Sequence, residues 1–381
     1  MSLFSFLKKN KESYYLVFNI GSGSVSGAII KFTEKPGVDV IHYESSLIPF
    51  QQEISISKHL ELMEKTLKNL AEKIRANGLR KINQNKNKKF TINNVYYIFS
   101  SPWCISQTKT IKVTETKAFR VTKSYLNKVI AKYENQFEAE IEEVGKIIEK
   151  KIIQIKTRNN PVNDIYNKLT KNLEISLFFT VVPEKILNTV ENAVSKTFNI
   201  KNVWCHSLSL ALFSDIRDLF PHHENFLQID ISEEMTDVSV VRDNVITNSI
   251  SIPFGRNYFL RNISSILKVP EKIADSMIKI HCSNDNNELA NLKLAVVMDM
   301  IAKSWLDKII TMLDNLKEEI YTIDSIFLIA NHDITSFLKD KLQKEGFNVS
   351  LIKNEKIKIN NMGNDISFKL ALIFLDKLYK I

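Results

Sequence analysis

Glycine is scarce, with 9 in 381 residues. Few positions can therefore be reserved for left-handed or closely approached backbone, and the cluster Gly21, Ser22, Gly23, Ser24 stands out. There are three cysteines, Cys104, Cys205 and Cys282, an odd number, far apart and without C-x-x-C spacing. That argues against a disulfide framework or a zinc site and fits a reducing compartment. No uninterrupted apolar run approaches the about 20 residues of a spanning helix. The apolar stretch Leu3 to Leu7 is too short for a secretory signal, and its lysines follow rather than precede it. A G-x-x-x-x-G-K-[ST] stretch is missing, which excludes a standard P-loop. Gly21-x-Gly23 runs on into strand-like Val25 to Ile30, unlike a dinucleotide fingerprint, which opens a helix.

The composition is that of a globular protein: 25% charged residues and 44% hydrophobic ones, in a chain long enough for two domains. The formal net charge is +9, which raises nucleic acid or an anionic membrane as partners. The densest basic cluster, Asn85 to Lys89, has few interleaved aromatics and reads as a solvated loop, so no nucleic-acid partner is expected. Residues 1–9 place Leu3, Phe4, Phe6 and Leu7 beside Lys8 and Lys9, a pattern for weak contact with an anionic membrane or for a frayed terminus.

Hydrophobic periodicity predicts strands over Tyr14–Ile20, Val25–Phe32 and Val38–Ile48, then a helix from Ser57 to about Ala76. A similar order returns at Phe226–Ile231, Thr236–Val241 and Val245–Ile252, followed by a helix near Tyr258–Leu267. This internal echo implies a duplicated architecture. Asn19 and Asp230 fall at matching places, each one residue before the end of its first strand. Between the copies, strands are expected at 95–99, 107–114, 147–155 and 173–182, with helices at 121–140 and 184–198. Residues 203–219 start extended and end helical. The C-terminal part predicts helices at 271–281, 289–316 and 334–344, a strand at 325–329, and a closing helix over 367–380 whose apolar stripe reads as core rather than as a membrane anchor.

A Gly/Ser turn between two strands can aim successive N–H groups into one concavity, a nest for phosphate oxygens. Hairpins use the same residues for their own geometry. His222, His223 and Glu224 read as a solvated loop, since adjacent histidines do not converge on a metal readily. Cys205 and His206 read as a structural pair rather than a reactive one.

Five segments then carry a resemblance, in order and over nearly the whole chain. Phe18–Ala28 (F-N-I-G-S-G-S-V-S-G-A) resembles the first phosphate motif of the actin-like family in its FtsA and PilM style. Ile229–Val238 (I-D-I-S-E-E-M-T-D-V) is similar to the second phosphate motif, D-I-G-G-G-T-T-D. Ile252–Ile263 is similar to the segment after it, with Gly255 at a family glycine. Ala274 and Asp275 with Lys279 approximate the A-E-x-x-K helix. Ile326–His332 sits where the adenosine motif is expected, with Ala330 and Asn331 at its glycines.

The resemblance implies an α/β, actin-like (ribonuclease H-like) two-lobed fold with a small inserted α+β subdomain of the SHS2 type. The implied division is lobe I over 1–92 and 183–225, the insertion over 93–182, lobe II over 226–366, and a closing helix over 367–381 that returns to lobe I. It also implies a nucleotide site: Asn19, Gly21, Ser22, Gly23, Ser24, Ser232, Thr236, Asp237, Gly255, Lys279, Ala330 and Asn331 around ATP, with Asp230 as metal ligand and catalytic residue. The departures from the motifs bear on that site. Asn19 lacks the charge that Mg²⁺ prefers. Glu233 and Glu234 replace glycines, and a carboxylate about 4 Å from a phosphate costs about 4 kcal/mol at an effective dielectric near 20. The implied function is a cytoplasmic actin-like scaffold of cell-division or pilus and envelope machinery, peripheral at the inner face of the membrane. Its partners would be a tubulin-like division protein, pilus or envelope components, or its own copies. The rival expectation is an enzyme: a Mg-ATP-dependent ATPase, or a small-molecule kinase of the same superfamily.

Overall fold

A computed structural model describes residues 14–33, 37–85, 92–141, 143–158, 160–162, 164–282, 291–314, 323, 325–330, 332–353, 357, 359 and 361–380. The segment 1–9, the lysines of the basic cluster and Asn331 lie outside the described residues.

The chain opens with β1 (Tyr15–Ile20), β2 (Ser24–Phe32), β3 (Val38–Leu47) and α1 (Ile56–Asn85), and continues with β4 (Asn94–Phe99). All six residues of β1 are buried, as expected of a central strand covered on both faces. After β4 come β5 (Ile105–Arg120), α2 (Lys123–Ile141), β6 (Lys146–Thr157), β7 (Asn160–Pro161) and β8 (Leu169–Val182). Then follow α3 (Glu184–Ser195), β9 (Asn202–Ser207) and α4 (Leu208–Leu219). The second half runs β10 (Phe226–Ile231), β11 (Thr236–Arg242), β12 (Val245–Ile252), α5 (Arg256–Leu267), α6 (Glu271–Cys282), α7 (Asn291–Asp314) and β13 (Ser325–Ala330). It ends with α8 (Thr335–Lys344), β14 (Val349–Leu351) and α9 (Ile366–Lys380).

Two five-stranded sheets have the same plan. Their orders are β3-β2-β1-β4-β9 and β12-β11-β10-β13-β14. In each the first three strands are antiparallel neighbours and the last two join in parallel. Each copy even carries an irregularity in its outer hairpin, at Ile29/Ile30 and at Val240/Val241. The echo expected from the sequence is therefore a repeat of topology. Strand β4 pairs in parallel with β1, Leu16 opposite Val95, so it belongs to the first sheet and the separate sheet begins only at Ile105. That third sheet has the order β5-β8-β6-β7. Its first strand runs to Arg120, longer than the expected 107–114, because it pairs with β8 along almost its whole length.

Helices α4 and α9 lie between the two large sheets. One apolar cluster joins Val17, Ile30 and Ala28 of the first sheet to Phe226 and Phe327 of the second through Phe213, Phe368 and Leu372. The outer face of the first sheet is covered by α1 and α3, and that of the second by α5 to α8. Helix α9 is thus buried core, with Phe368, Leu370, Ala371, Leu372 and Leu375 fully covered. Thr122 caps α2, its Oγ1 accepting from the Tyr125 N–H at 3.1 Å. No helix of the described residues is long and apolar enough to cross a membrane.

Candidate functional site

The turn between β1 and β2 and the turn between β10 and β11 lie at equivalent ends of the two sheets, and their tips touch. The hydroxyls of Ser22 and Ser232 are 2.7 Å apart, and the Glu234 N–H donates to Ser22 Oγ at 3.0 Å. Gly23 meets Glu233 so closely that a Cβ on Gly23 would overlap the Glu233 Cβ. Glycine is needed here for close approach rather than for a left-handed backbone.

Each tip is fixed from behind. In the first, the Gly21 N–H donates to Ser24 O at 3.0 Å. Trp103 Nε1 donates to Gly21 O at 2.7 Å, and His59 Nε2 bonds Ser22 O at 2.6 Å. The His59 and Trp103 rings stack 5.2 Å apart. In the second, the carbonyls of Ser232, Glu233 and Glu234 accept from the N–H groups of Arg256, Asn257 and Gly255 at 3.0, 2.7 and 3.1 Å. These are donors at the start of α5, a position that otherwise attracts anions. Gly255 has to be glycine, since a Cβ there would overlap Ser232 O and Glu233 O.

The two glutamates differ in their surroundings. Glu234 is buried and paired with Arg261 at 2.6 Å and with Asn257 at 2.7 Å. Glu233 lies beside Gly23, its carboxylate 4.0 Å from His332 Nε2.

Space remains on both sides of the tips. An inner cavity of about 340 Å³ is bordered by Asn19, Gly21, Ser24, Asp230, Ser232 and Glu233. Asn19 is 9% exposed and its Oδ1 has no hydrogen-bond partner among the described residues. Among the described residues, Asp230 receives a 3.4 Å contact from the Ser367 hydroxyl. Its burial, with Asp237, Glu233 and Asp365 adding repulsion, pushes its carboxyl well above the usual range. An outer cavity of about 870 Å³ is bordered by Gly23, Phe50, Glu233, Asp275, Lys279 and His332, among others. Arg256 sits in its wall, bonded to both carboxylate oxygens of Asp333 at 2.8 and 2.7 Å and to Asp275 at 2.7 Å. Lys279 holds the other oxygen of Asp275 at 2.6 Å. Burial opposes the Arg256 charge, but these two acids hold its pKa above the ordinary value.

The structure brings together Asn19, Gly21, Ser22, Gly23, Ser24, Asp230 and Ser232 at the tips, with Gly255 behind them and Lys279 on the outer side. Thr236 stands apart. Its hydroxyl donates to Phe254 O at 2.8 Å and accepts from Trp305 Nε1 at 3.1 Å, fully buried in the second sheet's core, so it faces away from any phosphate. Asp237 borders a different cavity, behind the tips. Ala330 ends β13, opposite Ile231. Sequence reasoning passed over Arg256 and Asp333. A cation in the first turn of a helix is unfavourable with the dipole, and that was the signal that Arg256 needs acidic partners. Of the weaker candidates, His223 bonds Ser325 Oγ at 3.1 Å, and burial pushes the Cys205 thiol up to about 12. His206 Nδ1 bonds Glu149 at 2.6 Å. No group of three metal-ligating side chains converges among the described residues.

No protein-family model matches the sequence, and a search of curated proteins finds no match. Among solved structures, the chain is similar to the PilM–PilN type IV pilus biogenesis complex at 12% identity and a TM-score of 0.63, over 95% of this chain and 98% of that one. Looser similarity extends to MreB5 of Spiroplasma citri bound to ADP, at 12% identity and a TM-score of 0.49, over 97% and 98% of the two chains. The EutJ ethanolamine utilization protein of Carboxydothermus hydrogenoformans follows at 8% identity and a TM-score of 0.46, over 95% and 90%. The chain has the two-lobed actin-like ATPase fold.

Proposed function

We propose that this chain is an actin-like scaffold of a bacterial pilus, envelope or cell-division machine, acting through protein contacts with a nucleotide site that no longer grips Mg-ATP. The observation that carries the proposal is the contact of the two tips, Ser22 on Ser232 and Gly23 on Glu233. A triphosphate gripped by both turns would need that space, and the tips fill it with each other.

The donor set supports the same reading. Mg²⁺ is usually held through carboxylates together with phosphate oxygens and waters, whereas Asn19, near the end of β1, is neutral. The N–H groups at the start of α5 already serve the second turn. The residues present therefore do not fit a bound magnesium–triphosphate. A machine that works by contact needs neither, because surfaces are held by the packed sheets and by α4 and α9. The complex whose fold the chain shares is one of type IV pilus biogenesis, which favours a pilus or envelope machine over division. The proposed partners are components of that machine or further copies of the chain, at the inner face of the cell membrane.

A working ATPase is the second reading, favoured by the outer cavity, whose about 870 Å³ falls within the range of small-molecule sites. Phosphate release with Mg-ATP, read beside sedimentation of the chain with and without nucleotide, separates the two. The scaffold reading expects no release above a protein-free blank and sedimentation indifferent to ATP. Sustained release that disappears in Asp230→Asn would establish the ATPase instead.

A further inference from the structure

Behind the tips, a third cavity of about 410 Å³ lies between the segment after β4, the start of α4 and strands β10 to β12. Among the described residues that border it there is no lysine, arginine or histidine. Two carboxylates face it from register-paired positions on neighbouring strands, Asp230 on β10 and Asp237 on β11. Asp237 is held in place by the Ser251 hydroxyl and by the hydroxyl and N–H of Ser101.

A separate observation points to a ligand. Gln228 is 2% exposed, borders the cavity, and its Oε1 has no partner among the described residues. Its Nε2 donates to Ser209 O at 3.3 Å, so flipping the amide would set oxygen against oxygen. The free atom is thus an acceptor. The Ser209 hydroxyl beside it also has no partner. A buried polar atom left unpaired costs about 1–3 kcal/mol, so the cavity asks for a donor. Leu208 and Leu212 supply apolar wall, and Ile105, 61% exposed, stands at its rim.

Acceptors without a counter-charge repel an anion, and a metal lacks a third ligating side chain among the described residues. The volume falls within the range of small-molecule sites. We propose that this cavity binds a small linear alkylamine of the diamine or polyamine class. The ammonium would donate to Asp237, Asp230 and Gln228 Oε1, and the methylenes would lie along Leu208 and Leu212. This inference stands apart from the scaffold reading. The net charge of +9 disfavours adventitious surface binding of a cation.

Calorimetric titration of putrescine and spermidine into the full chain, without Mg²⁺ or nucleotide, tests it. The expected result is saturable one-to-one binding, weakened at least tenfold in Asp237→Asn and unchanged in Lys303→Ala, an exposed position of α7 away from every cavity described. 1,4-Butanediol, the uncharged counterpart of putrescine, should give no saturable heat. Should Asp237→Asn fail to fold, Ser249→Leu, which fills the cavity from β12, carries the same expectation. No saturable heat with either amine would overturn the proposal and leave a cavity filled by water. Equal binding of the diol, or full affinity in the folded variants, would overturn it as well.

Discussion

At the scale of single residues, buried acids dominate. Asp215 on α4 is 1% exposed and bonds Lys377 of α9 at 2.8 Å, while its second oxygen has no partner. Burial raises its carboxyl to about 7 although Lys377 pulls the other way. A carboxyl with a folded pKa above its unfolded one binds more protons in the fold, so its contribution to stability is largest below about pH 4 and is lost as pH rises to about 7. Asp215→Asn should remove a fall on the order of 2–4 kcal/mol over that window, measured as the pH dependence of urea unfolding relative to wild type. Glu149 is the second such residue. It reaches from β6 to the start of α4, where its Oε2 accepts from the Ser207 N–H at 2.9 Å and the Ser207 hydroxyl at 2.8 Å, and its Oε1 bonds His206. Glu149→Ala removes the acceptor that holds the N-cap residue Ser207 and strands buried donors. A loss of about 2–3 kcal/mol, with faster proteolysis between 105 and 182, is expected. Glu149→Gln should recover part of it.

At the scale of elements, the turn after β10 and helix α5 behave as one unit. Three N–H groups at the helix start hold the turn, and Arg261, five residues on from Arg256, holds Glu234. Breaking a buried pair by removing one partner typically costs about 3–5 kcal/mol. Arg261→Met should therefore destabilise the protein by about that amount, by denaturant titration, and the double change with Glu234→Gln should recover much of it. Gly255→Ala should be harmful for a different reason, the overlap with two carbonyls; a Ser→Ala change at an exposed site of α5 supplies the contrast.

Much of this level was legible in the sequence. The strands around Asn19 and Asp230 alternate with turn residues, and the periodicity of α1 reads directly. The extension of α1 to Asn85 did not, because Lys81, Asn83 and Asn85 break no rule of helix formation yet announce no core. The place of β4 was also hidden. Its pairing with β1 is a contact across some eighty residues, which no local pattern encodes. For the candidate site, the turns and their glycines were readable, while the use of Thr236 as a core hydroxyl and the Arg256, Asp275 and Asp333 cluster were not. Those depend on which way a side chain points once the second sheet is packed.

At the scale of the whole molecule, the two sheets face one another through α4 and α9, and the tips close the gap above them. The bond between Ser22 and Ser232 joins residues 210 apart in sequence. Asp365 adds a further tie, accepting from Ser26 at 2.7 Å and Tyr43 at 2.8 Å while its other oxygen caps the start of α9. The lobes are thus held together by the chain's own side chains. Small-angle scattering should give the same radius of gyration with and without Mg-ATP, whereas a protein that closes on nucleotide would contract.

The most direct measurement is calorimetric titration of Mg-ATP into the full chain, beside the double variant Asn19→Asp, Glu233→Gly. The wild type should give no saturable heat, because its turns grip each other, and the variant should gain measurable affinity as the carboxylate leaves and a metal ligand returns. Tight, Mg²⁺-dependent binding by the wild type would contradict the account.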